Sequence, residues 1–374
     1  EMLKGAMAEC RLGNPERLSV DIGPVIDAEA KAGIEKHIQA MRDKGRNVYQ
    51  VAIADGEEIK RGTFVMPTLI ELESFDELKR EIFGPVLHVV RYNRRNLDQL
   101  IEQINNSGYG LTLGVHTRID ETIAKVVETA NAGNMYVNRN IVGAVVGVQP
   151  FGGEGLSGTG PKAGGPLYLY RLMQHCSAKK LAIPFATQAA PQQATVQPLY
   201  ELFHAWATQT FPNYALTPVP AFCAGQHYEL QGPTGESNQY VVLPRKRVLS
   251  LATHEQDQIQ QWCAIFAVGS QPVVMADNPF VLKYLAQMPK EISHSLKVIQ
   301  HIEHDDFDAV LHHGSEQQLQ QLQRQIAARQ GAIVGITHLK PLQQDIALER
   351  LVIERAISIN TAAAGGNASL MTLT

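Results

Sequence analysis

"REIFGPVLHVVRY", residues 80–92, decides how this chain is read. A carboxylate, Glu81, and an aromatic, Phe83, stand just before a Gly84-Pro85 turn, and the turn feeds an apolar run that reads as a buried strand. By itself the stretch is also compatible with an exposed acid opening a turn. Working outward, strands and helices alternate. "AEAKAGIEKHIQAMRDKG" places Ile34, Ile38 and Met41 at helical spacing and ends at Gly45. "NVYQVAI" reads as a strand, and "GTFVMPTLIEL" as a second with Pro67 at a bulge or edge. "NLDQLIEQINNSGYGL" is a helix, "TLGVHT" a strand, "RIDETIAKVVETANAG" a helix capped by Gly133, and "NMYVNRN" a strand. This alternation predicts an α/β layer with parallel pairing.

A second stretch supplies context. "NAGNMYVNRNIVGAVVGVQPFGGEGLSGTGPKAGGP", residues 131–166, together with the first, resembles the aldehyde dehydrogenase superfamily. Its "GVQPFGG…SGTG…GGP" portion is similar to the branch that oxidises glutamate semialdehyde, the open form of pyrroline-5-carboxylate. The end, "ERAISINTAAAGGNASLMTLT", residues 354–374, resembles the C-terminal motif of the larger bifunctional proline utilization flavoproteins, in the form with an extra C-terminal domain. The resemblance covers essentially the whole chain.

It implies an α/β protein: the C-terminal half of an aldehyde dehydrogenase catalytic domain (1–165), an oligomerisation flap (166–183), an Ala/Gln/Pro-rich linker (184–198), a Rossmann-like C-terminal domain (199–353) and the tail motif (354–374). It implies NAD as cofactor, with Glu81 holding the nicotinamide ribose hydroxyls and Phe83 packing beside ribose and ring. A carboxylate offers two acceptor oxygens to two vicinal hydroxyls. Gly143 and Ala144 would give backbone N–H groups to the substrate α-carboxylate, and Phe151 would wall its aliphatic part. Small residues suit an anion nest, the alternative being a plain tight turn before a buried strand, and a lone Phe before Gly-Gly is more often core. Asn138 and Arg139 read equally as cavity lining or as turn residues.

No catalytic residue is expected here. The family's chemistry needs a Cys thiolate to attack the aldehyde, hydride transfer to the nicotinamide, and hydrolysis of the resulting thioester. Its nucleophile and general base fall before the region matched. Of the four cysteines (10, 176, 223 and 263), Cys10 ends a helix before Gly13-Asn14-Pro15 and reads as structural. The chain is therefore expected to be a piece of a larger enzyme, inactive alone, whose absent flavin domain would use FAD to oxidise proline. Scattered cysteines without CxxC spacing argue for a reducing compartment and against a zinc site. The resemblance implies a cytoplasmic protein, with longer relatives able to lie peripherally on the inner membrane, and a homodimer or higher oligomer through the flap.

A net charge of −4 over 374 residues gives no nucleic-acid signal. No apolar run is long enough to span a membrane. Beyond the linker, "YVVLPRKRVLSLA", "QPVVMA", "SLKVIQHI", "FDAVLHHG" and "GAIVGITHL" alternate with helices, an order that resembles a Rossmann-like fold and a degenerate form of the superfamily's cofactor domain. "GPTGESN", residues 232–238, precedes a strand and opens no helix, so it reads as a turn. His301, His304, His312 and His313 lack metal-ligand spacing, and no metal is expected.

Overall fold

Asp27 starts the first long helix by accepting a 2.8 Å hydrogen bond from the Ala30 N–H. The computed structural model describes all residues except 53–56, 143, 174–196, 215, 217–224 and 362–374. It divides into two compact units, Glu1–Ser107 and Gly108–Thr374.

The first unit contains α1 (Met2–Glu9), α2 (Ala28–Asp43), β1 (Asn47–Gln50), α3 (Glu57–Arg61), β2 (Thr68–Leu72), β3 (Val86–Val90) and α4 (Leu97–Asn106). The sheet order is β1-β2-β3, with the first pair antiparallel and the second parallel. α2 buries the stripe Ile34, Ile38 and Met41, as its spacing predicts, against Val65, Ile70 and Leu72. Each such side chain contributes about 1.5–3 kcal/mol relative to exposure. The second predicted strand is shorter than its sequence run. Pro67 lies immediately before β2, the central strand, where it withholds no ladder N–H. The first helix ends at Glu9, and Cys10 is already extended.

The second unit opens with β4 (Tyr109–Gly110), β5 (Thr112–Val115), α5 (Asp120–Thr129), β6 (Asn134–Val137), β7 (Glu154–Gly155), α6 (Pro166–Leu172) and α7 (Pro198–Thr210). There follow β8 (His227–Leu230), β9 (Glu236–Pro244), β10 (Arg247–Ala252), α8 (Glu255–Val268), β11 (Gln271–Met275), α9 (Pro279–Tyr284) and α10 (Lys290–Ser295). The unit closes with β12 (Lys297–Ile299), β13 (Ala309–His313), α11 (Glu316–Ala327), β14 (Gly335–Leu339) and β15 (Val352–Asn360). One sheet has the order β12-β11-β10-β13-β14 and is parallel throughout. This is a doubly wound order that reverses between β10 and β13. Its strands are predominantly apolar because helices cover both faces. α8 is buried almost all round, with Ile259, Trp262, Cys263 and Phe266 in one cluster with Phe203 of α7.

The other large sheet has the order β5-β6-β15-β9-β8. β15 runs parallel to β6 and antiparallel to β9, so residues 112–137 share a sheet with 227–244 and 352–360. The segments expected as 1–165 and 199–353 therefore interlock here. Residues 354–360, expected within a terminal tail, are instead the interior of a central strand, since Ala356, Ile357 and Ile359 are buried on its two faces. Residues 362–374 lie outside the described residues. Residues 166–172, expected as a strand-like flap, form a helix: Pro166 takes its first turn and Leu167 its buried face. The rest of the flap lies outside the described residues. Gly133 does not cap α5, which ends at Thr129; it stands just before β6. The "GPTGESN" turn joins β8 to β9 in a hairpin, with Gly235 at φ 88°.

Candidate functional site

Ile82 points into the first unit's core, beside α2, and its neighbours point away from it. Glu81 is exposed, and Phe83 is 84% exposed. Glu81 makes no hydrogen bond or ion pair among the described residues, so both oxygens are available to a ligand. Gly84 permits the turn to press on α2, because a Cβ there would lie 2.5 Å from Ile34 Cδ1. Behind it, His88 on β3 and His37 on α2 meet at 2.8 Å between Nε2 atoms. One ring must donate and the other accept, so the pair is neutral. Burial lowers both pKa values, that of His88 to about 4.

The second unit carries the other site residues. Asn138 adopts φ 54° after β6, and its amide exchanges hydrogen bonds of 3.0 Å with the backbone of Thr117. Arg139 donates to Glu236 and to Ser358, each at 2.7 Å. Both are therefore turn residues with structural partners. Gly143 lies outside the described residues; Ala144 is half-buried between the exposed Val142 and Val146. The loop returns through Gln149, whose buried amide donates to Asn238 at 2.8 Å and to Ser358 at 3.1 Å.

Phe151 is held by its backbone. Its N–H donates to the Ala163 carbonyl at 3.0 Å, and its own carbonyl accepts from the Ala163 N–H at 2.9 Å. Asn134 Nδ2 donates to the Pro150 carbonyl at 3.0 Å, and the Gly152 N–H donates to Asn134 Oδ1 at 3.1 Å. The Lys162 ammonium donates to the Gly152 carbonyl and, at 3.0 Å, to Asn134 Oδ1. Phe151 is left half-buried. The glycines around it allow backbone to run against backbone. A Cβ at Gly133 would sit 2.0 Å from the Gly152 carbonyl oxygen, and one at Gly158 would sit 1.9 Å from that of Gly153. Below this loop, Glu354 Oε2 accepts the Lys162 N–H at 2.7 Å, and Tyr240 donates to Glu354 Oε1 at 2.6 Å. Burial lowers the Lys162 pKa to about 8 and raises that of Glu354. Arg355 grips Glu154 with both terminal contacts near 3 Å.

Sequence reasoning singled out neither Asn134, Gln149, Lys162 nor Glu354. Their one signal was a polar residue inside an apolar or glycine-rich run. Glu81 and Phe83 belong to one unit, and Ala144 and Phe151 to the other.

The parallel sheet offers no phosphate cradle among its described residues. Where its strand order reverses, side chains fill the crevice. Ser250 donates to Gln261 Oε1 at 2.6 Å, and Gln261 Nε2 donates to Leu251 O at 2.9 Å. That same nitrogen lies 2.8 Å from His313 Nδ1, which must accept; His313 Nε2 then donates to the Gln343 carbonyl at 2.8 Å. α8 opens with Glu255 and Asp257, which repel a phosphate where a glycine-rich turn would attract one. Buried Cys263 has its thiol pushed up to about 12. Exposed Asp306 pairs with Arg247 at 2.6 Å, and Asp305 pairs with Lys297 at 3.4 Å. Among the described residues no His, Cys, Asp and Glu group could hold a metal, and no helix is long and apolar enough to cross a membrane.

Residues 1–177 match the model of the aldehyde dehydrogenase family, and the match takes in all five site residues. The aldehyde dehydrogenase segment is followed by sequence that continues to match one kind of relative. "Bifunctional protein PutA" of Escherichia coli (strain K12) is 54% identical over 387 aligned residues, covering 100% of this chain and 29% of that protein. "1-pyrroline-5-carboxylate dehydrogenase" of Bacillus subtilis (strain 168) is 38% identical over 167 residues, covering 44% of this chain and 31% of that protein. The chain thus spans less than a third of these relatives. The solved structure of Proline Utilization A from Corynebacterium freiburgense, 19% identical, superposes with TM-score 0.59 over 96% of this chain and 34% of its own. The fold is therefore shared along nearly the whole chain, C-terminal α/β layer included.

Proposed function

We propose that this chain serves the NAD-dependent oxidation of L-glutamate γ-semialdehyde to glutamate, within a longer polypeptide that also oxidises proline with FAD. The observation that carries the reading is Phe151: the carbonyl of Pro150 and both backbone groups of Gly152 are bonded by side chains, while Phe151 itself is only half-buried. A wall residue needs a fixed backbone and a free face. In this reading Phe151 packs on the aliphatic part of the semialdehyde, and Gly143-Ala144 meet its α-carboxylate. Glu81 accepts from the nicotinamide ribose, with Phe83 beside it. NAD, when bound, supplies the hydride acceptor; the residues here bind, orient and exclude water. The thiolate and general base come from outside this chain, so alone it turns over no aldehyde. Residues 1–165 form the catalytic portion, and 166–183 mediate association of copies.

The filled crevice at the reversal of the parallel sheet favours a second role alongside the first. Residues 199–353 serve as a non-catalytic structural and covering domain. The test is NADH formation from glutamate semialdehyde by full-length protein carrying this sequence, compared with its Glu81→Gln variant. Turnover weakened by that change supports the reading; no turnover by the unaltered protein refutes it.

A further inference from the structure

Lys162 is 2% exposed, and its ammonium is not needed to balance a neighbouring carboxylate through direct contact. Burying a cation is costly unless its donors are used. Here they are spent on the Gly152 carbonyl and Asn134 Oδ1, the two groups that fix the chain on the C-terminal side of Phe151. Its own backbone N–H is tied to Glu354 of β15, and the next residue, Ala163, pairs with Phe151 through both backbone groups. One side chain and its backbone thus connect the central strand of the mixed sheet to the loop bearing Phe151. We infer that Lys162 is a positioning residue: with its backbone tied to Glu354 and its ammonium also bonded to Asn134, the ammonium clamps the Gly152 carbonyl and so holds Phe151 at the substrate. The inference rests on the proposed reading of Phe151.

The clamp acts through a charge-assisted hydrogen bond, which is stronger than a neutral one. Loss of the proton weakens it without removing the stem. Burial has brought that proton's loss to about pH 8, against the attraction of Glu354 and Glu154 and with the repulsion of Arg355. The grip therefore holds below that pH and slackens above it.

The experiment compares full-length wild type with Lys162→Met, which keeps the stem length and removes the charge. Amide hydrogen exchange is followed in peptides covering 148–153, with peptides from β10 and β13 as controls. The variant is expected to exchange about tenfold faster at 151–152 and unchanged at the controls. KM for glutamate semialdehyde is expected to rise about tenfold, with kcat within about twofold and NAD affinity unaltered. In wild type KM should climb above pH 8, and that limb should vanish in the variant. Equal exchange at 151–152 in both proteins overturns the clamp, as does a pH limb that persists in the variant. If the variant does not fold, protection of 151–152 in wild type must fall selectively above pH 8, and constant protection overturns the inference. If wild type makes no NADH, the substrate reading fails, while exchange still judges the clamp.

Discussion

Glu81 and Phe83 were singled out by the resemblance their motif carries, not by periodicity; both are exposed, beside the half-buried Ile82. Glu81→Gln in the full-length protein removes one strong acceptor for the ribose, so kcat should fall about tenfold or more; unchanged kinetics would reject the contact. Lys162 and Glu354 were not legible. Their bond spans 192 positions, and neither periodicity nor composition reports a partner that distant. Gly133 was read as a helix cap, but its reason is steric. Gly133→Ala places a methyl 2.0 Å from the Gly152 carbonyl oxygen, a backbone atom that can yield only by moving the Phe151 loop. The change should cost about 1–3 kcal/mol in urea denaturation. A variant with the wild-type midpoint would contradict the close approach.

At the scale of elements, α2 and the parallel strands were legible because one period governs each. α2 repeats apolar residues at helical spacing, and the parallel strands are short apolar runs between turns. Two elements were misread for physical reasons. Leu-Tyr alternation in "PLYLYRL" mimics a strand, while Pro166 at the first turn and burial of Leu167 make it a helix. β15 hides because Glu354 and Arg355 interrupt its apolar pattern. Each charge is satisfied only by residues elsewhere, Tyr240 and Glu154. β13 also makes a prediction about pH. Burial, with His338 and His313 nearby, brings His312 down to about 4, and burial lowers His313 despite Asp257. The unfolded chain binds these protons near pH 6.5, before the folded one does. Stability is therefore complete above that pH and declines as pH falls toward about 4, on the order of 2–3 kcal/mol from His312 alone. Urea midpoints measured across this window should show the fall, and His312→Gln should reduce it, leaving the share of His88 and His313. A flat wild-type profile would show that the folded and unfolded states share one pKa.

At the scale of the molecule, the class of the fold was legible and its joinery was not. Composition and alternation gave two α/β layers in series. The sheet β5-β6-β15-β9-β8 instead draws strands from both, a long-range pairing that local pattern does not encode. The same scale limits what this chain does alone. Of its described cysteines, Cys263 is buried with a thiol pushed up to about 12, and Cys10 sits beside a helix end with its thiol 3.6 Å from the Ala6 carbonyl. Cys263 offers no poised thiolate. The purified 374-residue chain should form no NADH from glutamate semialdehyde; formation abolished by Cys10→Ala would overturn this. The central claim is that the Phe151 loop walls a semialdehyde site. Its most direct test is kcat/KM for glutamate semialdehyde, with NAD, in full-length wild type and Phe151→Ala. The account predicts turnover by wild type and a loss of about tenfold in the variant, carried by KM. Equal kcat/KM in the two proteins would contradict it.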